Sequence, residues 1–251
     1  MKQNTSWGKV SDWYNKSVGE KGNYFHREVI LPNVLRLLKL KEIDRLLDLG
    51  CGQGVLARAL PKIKEYLGID LSVELIEEAR KLDKDLSHKF AVSDVSKDIK
   101  IRQGEFTKVA IILALQNIKN QFAVIKNVER YMAKEGELII VLNHPAFRIP
   151  KHADWEVDRQ KNLQYRTVDS YLTPLTIPID SSPFDNKNNQ RTWSYHYPIS
   201  AYSEMLLDNG LVIKKIEEWI SPKVSEGGMA KIEDAARKEF PMFMCIVAVR
   251  K

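Results

Sequence analysis

Apolar residues in this chain fall into short unbroken runs, and the polar stretches between them carry apolar positions at helical spacing. Leu46 to Leu49 reads as a strand buried on both faces, since no polar position alternates through it except Asp48. Runs of the same kind follow at Glu65–Asp70, Lys89–Val92, Val109–Leu115, Glu137–Asn143, Leu211–Trp219 and Phe243–Arg250. Between them the spacings Val34, Leu35, Leu38, then Val73, Ile76, Ala79, then Phe122, Ile125, Val128, Met132 predict helices. Ser72 suits the N-cap of the second, Ser200 suits the N-cap of a helix ending at Asn209–Gly210, and a last helix is predicted from Ala230 to Lys238. Val55–Leu60 reads as a short helix stopped by Pro61, and Glu135–Gly136 as a turn. Strands alternating with helices predict an α/β, doubly wound sheet, whose ligands bind beyond the carboxyl ends of the strands.

The chemistry collects at that edge. Gly50, Gly52 and Gly54 follow the first strand directly, and a turn with so little side-chain bulk lets a ligand lie against the main chain. The second strand ends in Asp70, which can accept hydrogen bonds from two ribose hydroxyls or cap the next helix. Beyond the third strand, Ser93 and Asp94 place another carboxylate at the same edge. A dinucleotide fingerprint has its third glycine one place later, where this chain has Val55.

The glycine turn, the acid after the second strand and the acid after the third together resemble the class I S-adenosylmethionine-dependent methyltransferases, over roughly residues 40 to 145. That resemblance implies a Rossmann-like, seven-stranded, mostly parallel sheet with an antiparallel last strand, and S-adenosyl-L-methionine as cofactor. It implies that Asp48, Gly50, Cys51, Gly52 and Gly54 hold the methionine end, Asp70 with Leu71 the ribose, and Asp94 with Val95 the adenine. Many members carry an acid before the fourth strand where this chain has Thr107 and Lys108. The Asn/Asp-Pro-Pro-Tyr tetrapeptide of nucleic-acid and protein amide methyltransferases is replaced by Leu115-Gln116-Asn117-Ile118. Gln116 and Asn117 are candidates for ligand contact or for capping the next helix.

Three further segments are singled out. Residues 1–40 form an expected helical arm in which Trp7, Trp13, Tyr14, Tyr24, Phe25 and His26 crowd ahead of the first strand; by the resemblance Tyr14, Tyr24 and His26 are candidates to touch the methionine end. The octapeptide at 143–150, Asn-His-Pro-Ala-Phe-Arg-Ile-Pro, is similar to one in a bacterial group of uncharacterised, type 11-like methyltransferases; His144 there is a candidate general base or a hydrogen-bonded structural histidine. Residues 145–198 hold no glycine but six of the ten prolines and eight of the 22 aromatics, which predicts an ordered cap over the active site. Trp155, Arg166, Tyr171, Trp193, Tyr195 and His196 are its candidate pocket residues, with His196 a second candidate base.

Composition narrows the classes that remain. At 251 residues, 44% hydrophobic and 29% charged, the chain fits one globular domain with an elaboration. The net charge of +6 is spread among acids without a basic run of five, which argues against a nucleic-acid partner. No apolar run reaches the roughly 18 residues of a membrane helix, and two cysteines and no secretory core point to the cytoplasm. The five histidines have no metal-ligand spacing, so no metal site is expected. The expected activity is methylation of a small-molecule acceptor; methylation of RNA or protein, and cofactor binding without turnover, are the alternatives.

Overall fold

A computed structural model describes Gly8, residues 11–180 and residues 191–251; Trp7 lies outside the described residues. Seven strands form one sheet: β1 (Arg45–Leu49), β2 (Glu65–Asp70), β3 (His88–Val92), β4 (Phe106–Ile112), β5 (Met132–Asn143), and, near the carboxyl terminus, Leu211–Trp219 and Phe243–Arg250. Four short strands intervene, so these last two are β10 and β11 in chain order. The sheet order is β10-β11-β5-β4-β1-β2-β3. β11 runs antiparallel to both neighbours while β1 to β5 pair in parallel, as expected for a Rossmann-like methyltransferase sheet.

Burial explains the unbroken apolar runs. Along β5, Leu138, Ile140 and Leu142 enter one apolar cluster while Ile139 and Val141 enter another, so alternate residues feed the cores on opposite faces of the sheet. After α1 (Ser11–Val18), which borders the cavity described below, α2 (Leu31–Leu38) and α3 (Val73–Leu82) cover one face of the sheet, with Val34, Leu38, Ile76 and Ala79 buried there. The other is covered by α4 (Gln121–Tyr131) and α5 (Ile199–Asp208), which bury Val124, Ile125, Val128, Tyr202 and Leu206. A final helix, α6 (Ala230–Glu239), precedes β11.

Several local expectations change. Val55–Leu60 forms turns and one 3-10 stretch, Ala57–Ala59, because Pro61 leaves too few residues for a full α-helical ladder. β4 begins at Phe106 and ends at Ile112, earlier than the apolar run suggests, since Leu113 takes φ +53° and turns the chain away. Glu135 and Gly136 are not a turn: they bulge within β5, where the register jumps from Phe106↔Met132 to Lys108↔Glu137. The cap of α5 is Pro198 rather than Ser200, and the cap of α4 is Asn120, whose side chain accepts from the Ala123 amide at 3.1 Å. Ser72 does cap α3, accepting from the Leu75 amide at 3.2 Å. At the strand ends away from the glycine turn, Thr107 Oγ1 donates to Asp44 and accepts from the Arg45 amide, and Lys108 pairs with Glu137 at 2.6 Å.

The insertion after β5 is two hairpins. The first joins β6 (Ala153–Asp158) to β7 (Leu163–Val168), and the second joins β8 (Leu175–Asp180) to β9 (Arg191–His196). Among the described residues no helix is long and apolar enough to cross a membrane.

Candidate active site

The turn after β1 is tied to the neighbouring strand. The amides of Gly50 and Cys51 both donate to the Ile69 carbonyl, at 2.7 and 3.0 Å. A Cβ at Gly50, where φ is +79°, would lie 2.4 Å from Ala114 Cβ, so no other residue fits. At Gly52, φ +54°, a Cβ would meet only Tyr14, its Oη at 3.6 Å; the space beside this residue is open. Gly54 instead packs between Phe90 and Ala79, so the third glycine seats α3 and β3 rather than a ligand.

Carboxylates stand around this turn in three environments. Asp70 accepts from the Gly52 amide through Oδ2 and from the Ser72 amide through Oδ1, both at 2.9 Å, and burial holds its carboxyl above the usual range despite these bonds. Partial burial would raise Asp94, but bonds from the Ser96 hydroxyl at 2.6 Å and amide at 3.0 Å, with Lys97 beside it, leave it below the usual range. Asp48 is 2% exposed, accepts from the Tyr66 hydroxyl at 2.8 Å through Oδ2, and has no protein partner on Oδ1. Burial pushes its carboxyl to about 7, with Asp70 adding to the effect and Tyr66 opposing it. Burial likewise pushes the Cys51 thiol up, which leaves it an inert small residue.

The glycine turn, Asp70 and Asp94 open onto a cavity of about 1080 Å³. Gly50, Gly52, Asp70, Leu71, Asp94 and Val95 line one wall. The amino-terminal arm supplies Trp13, Tyr14, Ser17, Val18, Asn23 and His26. Ile112 to Asn120, Leu115 excepted, supply the floor, Asn143 and Pro150 one side, and the second hairpin closes the rest with Ile179, Thr192 and Ser194. His26 Nδ1 and Gln116 Oε1 are buried there without a protein partner. Burial lowers the His26 imidazole to about 4, so it is neutral at pH 7 and free to accept a hydrogen bond.

Of the expected site residues, then, the cavity gathers Gly50, Gly52, Asp70, Leu71, Asp94, Val95, Gln116, Tyr14, His26 and Asn117. Asp48, Cys51 and Gly54 sit behind the turn, and Tyr24 packs edge-on to Phe25 beneath Lys223. Neither candidate base lines the cavity. His144 is 1% exposed, accepts from the Ala146 amide through Nδ1 at 3.1 Å, and turns Nε2 to Glu218 at 2.7 Å. His196 Nε2 donates to the Tyr171 carbonyl at 2.8 Å. Both ring nitrogens of His144 are engaged, His196 is engaged through Nε2, and burial lowers the pKa of each.

The aromatic candidates of the insertion disperse as well. Trp155 and Arg166 line a separate, smaller cavity, while Tyr171, Trp193 and Tyr195 line neither. The residues missed by the sequence reading, Ile179, Thr192 and Ser194, are small or aliphatic; the alternation that puts Thr192 and Ser194 on one face of β9 was the available signal.

A family model described as a methyltransferase domain matches residues 40–169, just over half of the chain. An uncharacterised protein of Haemophilus influenzae is 28% identical over 175 residues, covering 60% of this chain and 68% of that protein. The demethylmenaquinone methyltransferase of Staphylococcus saprophyticus is 26% identical over 113 residues, covering 43% of this chain and 48% of that one. Among solved structures, an S-adenosylmethionine-dependent methyltransferase from Mesorhizobium loti is similar with a TM-score of 0.66 at 23% identity, covering 87% of this chain and 96% of that chain.

Proposed function

The chain belongs to the class I S-adenosylmethionine-dependent methyltransferases, and from that premise we propose that it methylates a small-molecule acceptor seated under the second hairpin. S-adenosylmethionine is the cofactor, and the residues at hand fit it. The open space beside Gly52 gives the methionine end a backbone to lie on, and Asp70 offers a carboxylate to the ribose hydroxyls. Asp94 with Val95 stands where an adenine edge would be read, and the unpartnered His26 Nδ1 and Gln116 Oε1 are acceptors for polar hydrogens of donor or acceptor. When bound, the cofactor supplies an electrophilic methyl group on a sulfonium.

The remaining work falls to positioning. Holding two ligands in one cavity converts a bimolecular encounter into an oriented one, which supplies much of the rate without a protein nucleophile. His26, with its pKa near 4, orients and is too weak a base to draw a proton at pH 7. The observation that carries the small-molecule reading is the cavity itself. Its 1080 Å³ exceeds the roughly 300 to 1,000 Å³ of a pocket for one ligand, and among its described lining residues Lys119 is the single lysine or arginine. A phosphate chain would call for several such cations along its path. Isotope-labelled S-adenosylmethionine incubated with a fractionated small-molecule extract, and separately with total RNA and protein, tests the reading. Label is expected in a small-molecule fraction; label confined to RNA or protein would overturn it, and tight cofactor binding with label nowhere would identify a binding protein without turnover.

A further inference from the structure

A second cavity, of about 240 Å³, is walled by Phe25, the first hairpin, the segment Phe147–Arg148 after β5, Ser221 and Lys223 after β10, and Arg237, Phe240, Pro241 and Met242 leading into β11. Its lining is unlike that of the donor cavity. Four cationic side chains, Arg148, Arg166, Lys223 and Arg237, meet four aromatic rings, Phe25, Phe147, Trp155 and Phe240, and no carboxylate lines it.

The rings are held edge to face: Trp155 against Phe240 at 5.3 Å and 84°, and Phe147 against Phe240 at 5.4 Å and 79°. The Arg166 guanidinium lies 4.8 Å over the Trp155 ring, and Lys223 Nζ lies 5.0 Å over Phe25. Among the described residues Arg148, Arg166 and Lys223 form no ion pair with any carboxylate. Arg148 donates to Asn143 Oδ1 at 3.0 Å, and Arg166 donates to the Phe147 carbonyl. Arg237 is the one of the four within ion-pair distance of acids among the described residues, Asp234 at 3.5 Å and Glu233 at 3.9 Å, and its Nε is buried with no partner. Burial and the neighbouring Arg166 charge both lower the Arg148 guanidinium, and burial lowers that of Arg166 even with Asp154 in range. The three arginines are half-buried and Lys223 is exposed, so like charges gather at a partly solvated mouth, where a group of opposite sign would offset their repulsion.

We propose that this cavity is a binding site for a small organic anion, a carboxylate or phosphate attached to a flat apolar group. The acid group satisfies the cations and the flat group lies among Trp155, Phe147 and Phe240. Guanidinium forks suit both carboxylate and phosphate, and the volume holds about one ring with its acid. The site adjoins the donor cavity without being part of it: Phe25 lines one and His26 the other, and Arg148 of the smaller cavity bonds Asn143 of the larger. It does not depend on the donor reading.

Calorimetric titration of the full chain with benzoate, phenyl phosphate, inorganic phosphate and neutral benzamide tests it. Benzoate or phenyl phosphate is expected to bind at least tenfold more tightly than benzamide, the better of the two naming the acid. Arg166→Gln with Lys223→Gln should weaken that binding at least tenfold. Trp155→Leu should weaken the aromatic anion and leave inorganic phosphate unchanged. Should the double variant lose its circular dichroism signal, Lys223→Glu, which breaks no hydrogen bond, carries the same expectation. Binding of benzamide as strong as benzoate, binding that survives these substitutions, or displacement of the anion by S-adenosylhomocysteine would overturn the proposal.

Discussion

The two walls of the main cavity are built in different ways. The wall from β1, β2 and β3 is backbone chemistry: a glycine turn bonded to Ile69, and a carboxylate held by the Gly52 and Ser72 amides. The opposite wall comes from the second hairpin, whose strands present Ile179, Thr192 and Ser194 through side-chain alternation alone. A wall fixed by main-chain bonds tolerates no change of residue type, whereas a wall fixed by alternation can be re-lined without disturbing the sheet. On the proposed reading, that difference separates cofactor binding from acceptor choice.

The largest effect should come from the glycine turn. Gly52→Val puts a branched side chain in the open space and in a left-handed backbone region, so S-adenosylhomocysteine binding should fall below detection while circular dichroism stays native. Gly50→Ala, by contrast, drives a methyl into Ala114 and should lower the melting temperature, by about 1–3 kcal/mol of stability or more. If the two variants behave alike, the turn has one role and the contrast between its glycines is lost.

Next is Asp70→Ala, which removes an acceptor of two backbone amides and, on the proposed reading, of the ribose hydroxyls. About 1.5–3 kcal/mol per charged hydrogen bond is expected from S-adenosylhomocysteine affinity, with a smaller loss of stability read by thermal melting.

Much of this wall was legible in the sequence because backbone demands leave residue signatures. Glycines at 50 and 52, Ser72 as a cap, and Asp70 at a strand's end each mark a local geometry. Two of the cavity-lining amides, Gln116 and Asn117, also stood where the fourth strand was expected to end, though the strand stops earlier and Leu113 makes the turn with a positive φ that nothing in its side chain announces. The surroundings of the histidines were not legible, for the opposite reason. His144 and His196 occupy suggestive positions in the chain, but their partners Glu218 and the Tyr171 carbonyl come from distant residues that only packing brings near. Aromatic density singled out the insertion, yet could not say that Trp155 and Arg166 turn to a second cavity.

Asp48 gives a medium effect whose sign depends on pH. Its carboxyl is raised from 3.8 to about 7 on folding, so its contribution is fully present below pH 4 and lost as pH climbs to 7 and beyond. Asp48→Asn keeps an acceptor for the Tyr66 hydroxyl and removes the buried charge. It should therefore stabilise the cofactor-free protein at pH 8 by on the order of 1–3 kcal/mol and leave it unchanged near pH 4. Melting curves across that range check it; destabilisation at pH 8 would mean that the ionised carboxylate is matched by a partner.

The smallest expected effect on cofactor lies in the second hairpin. Ile179→Ala re-lines the far wall and should change S-adenosylhomocysteine affinity by less than about 1 kcal/mol while altering acceptor turnover, since it shares no partner with the glycine turn. A large loss of cofactor affinity would merge the two walls into one site.

The proposed reading assigns cofactor affinity to the strand-end wall and not to the second hairpin. Its most direct measurement is calorimetric titration of S-adenosylhomocysteine into the wild type, Asp70→Ala and Ile179→Ala side by side. The account predicts one-to-one binding to the wild type, a loss of at least tenfold for Asp70→Ala, and an isotherm for Ile179→Ala superimposable on the wild type. Equal affinity for the wild type and Asp70→Ala would contradict it.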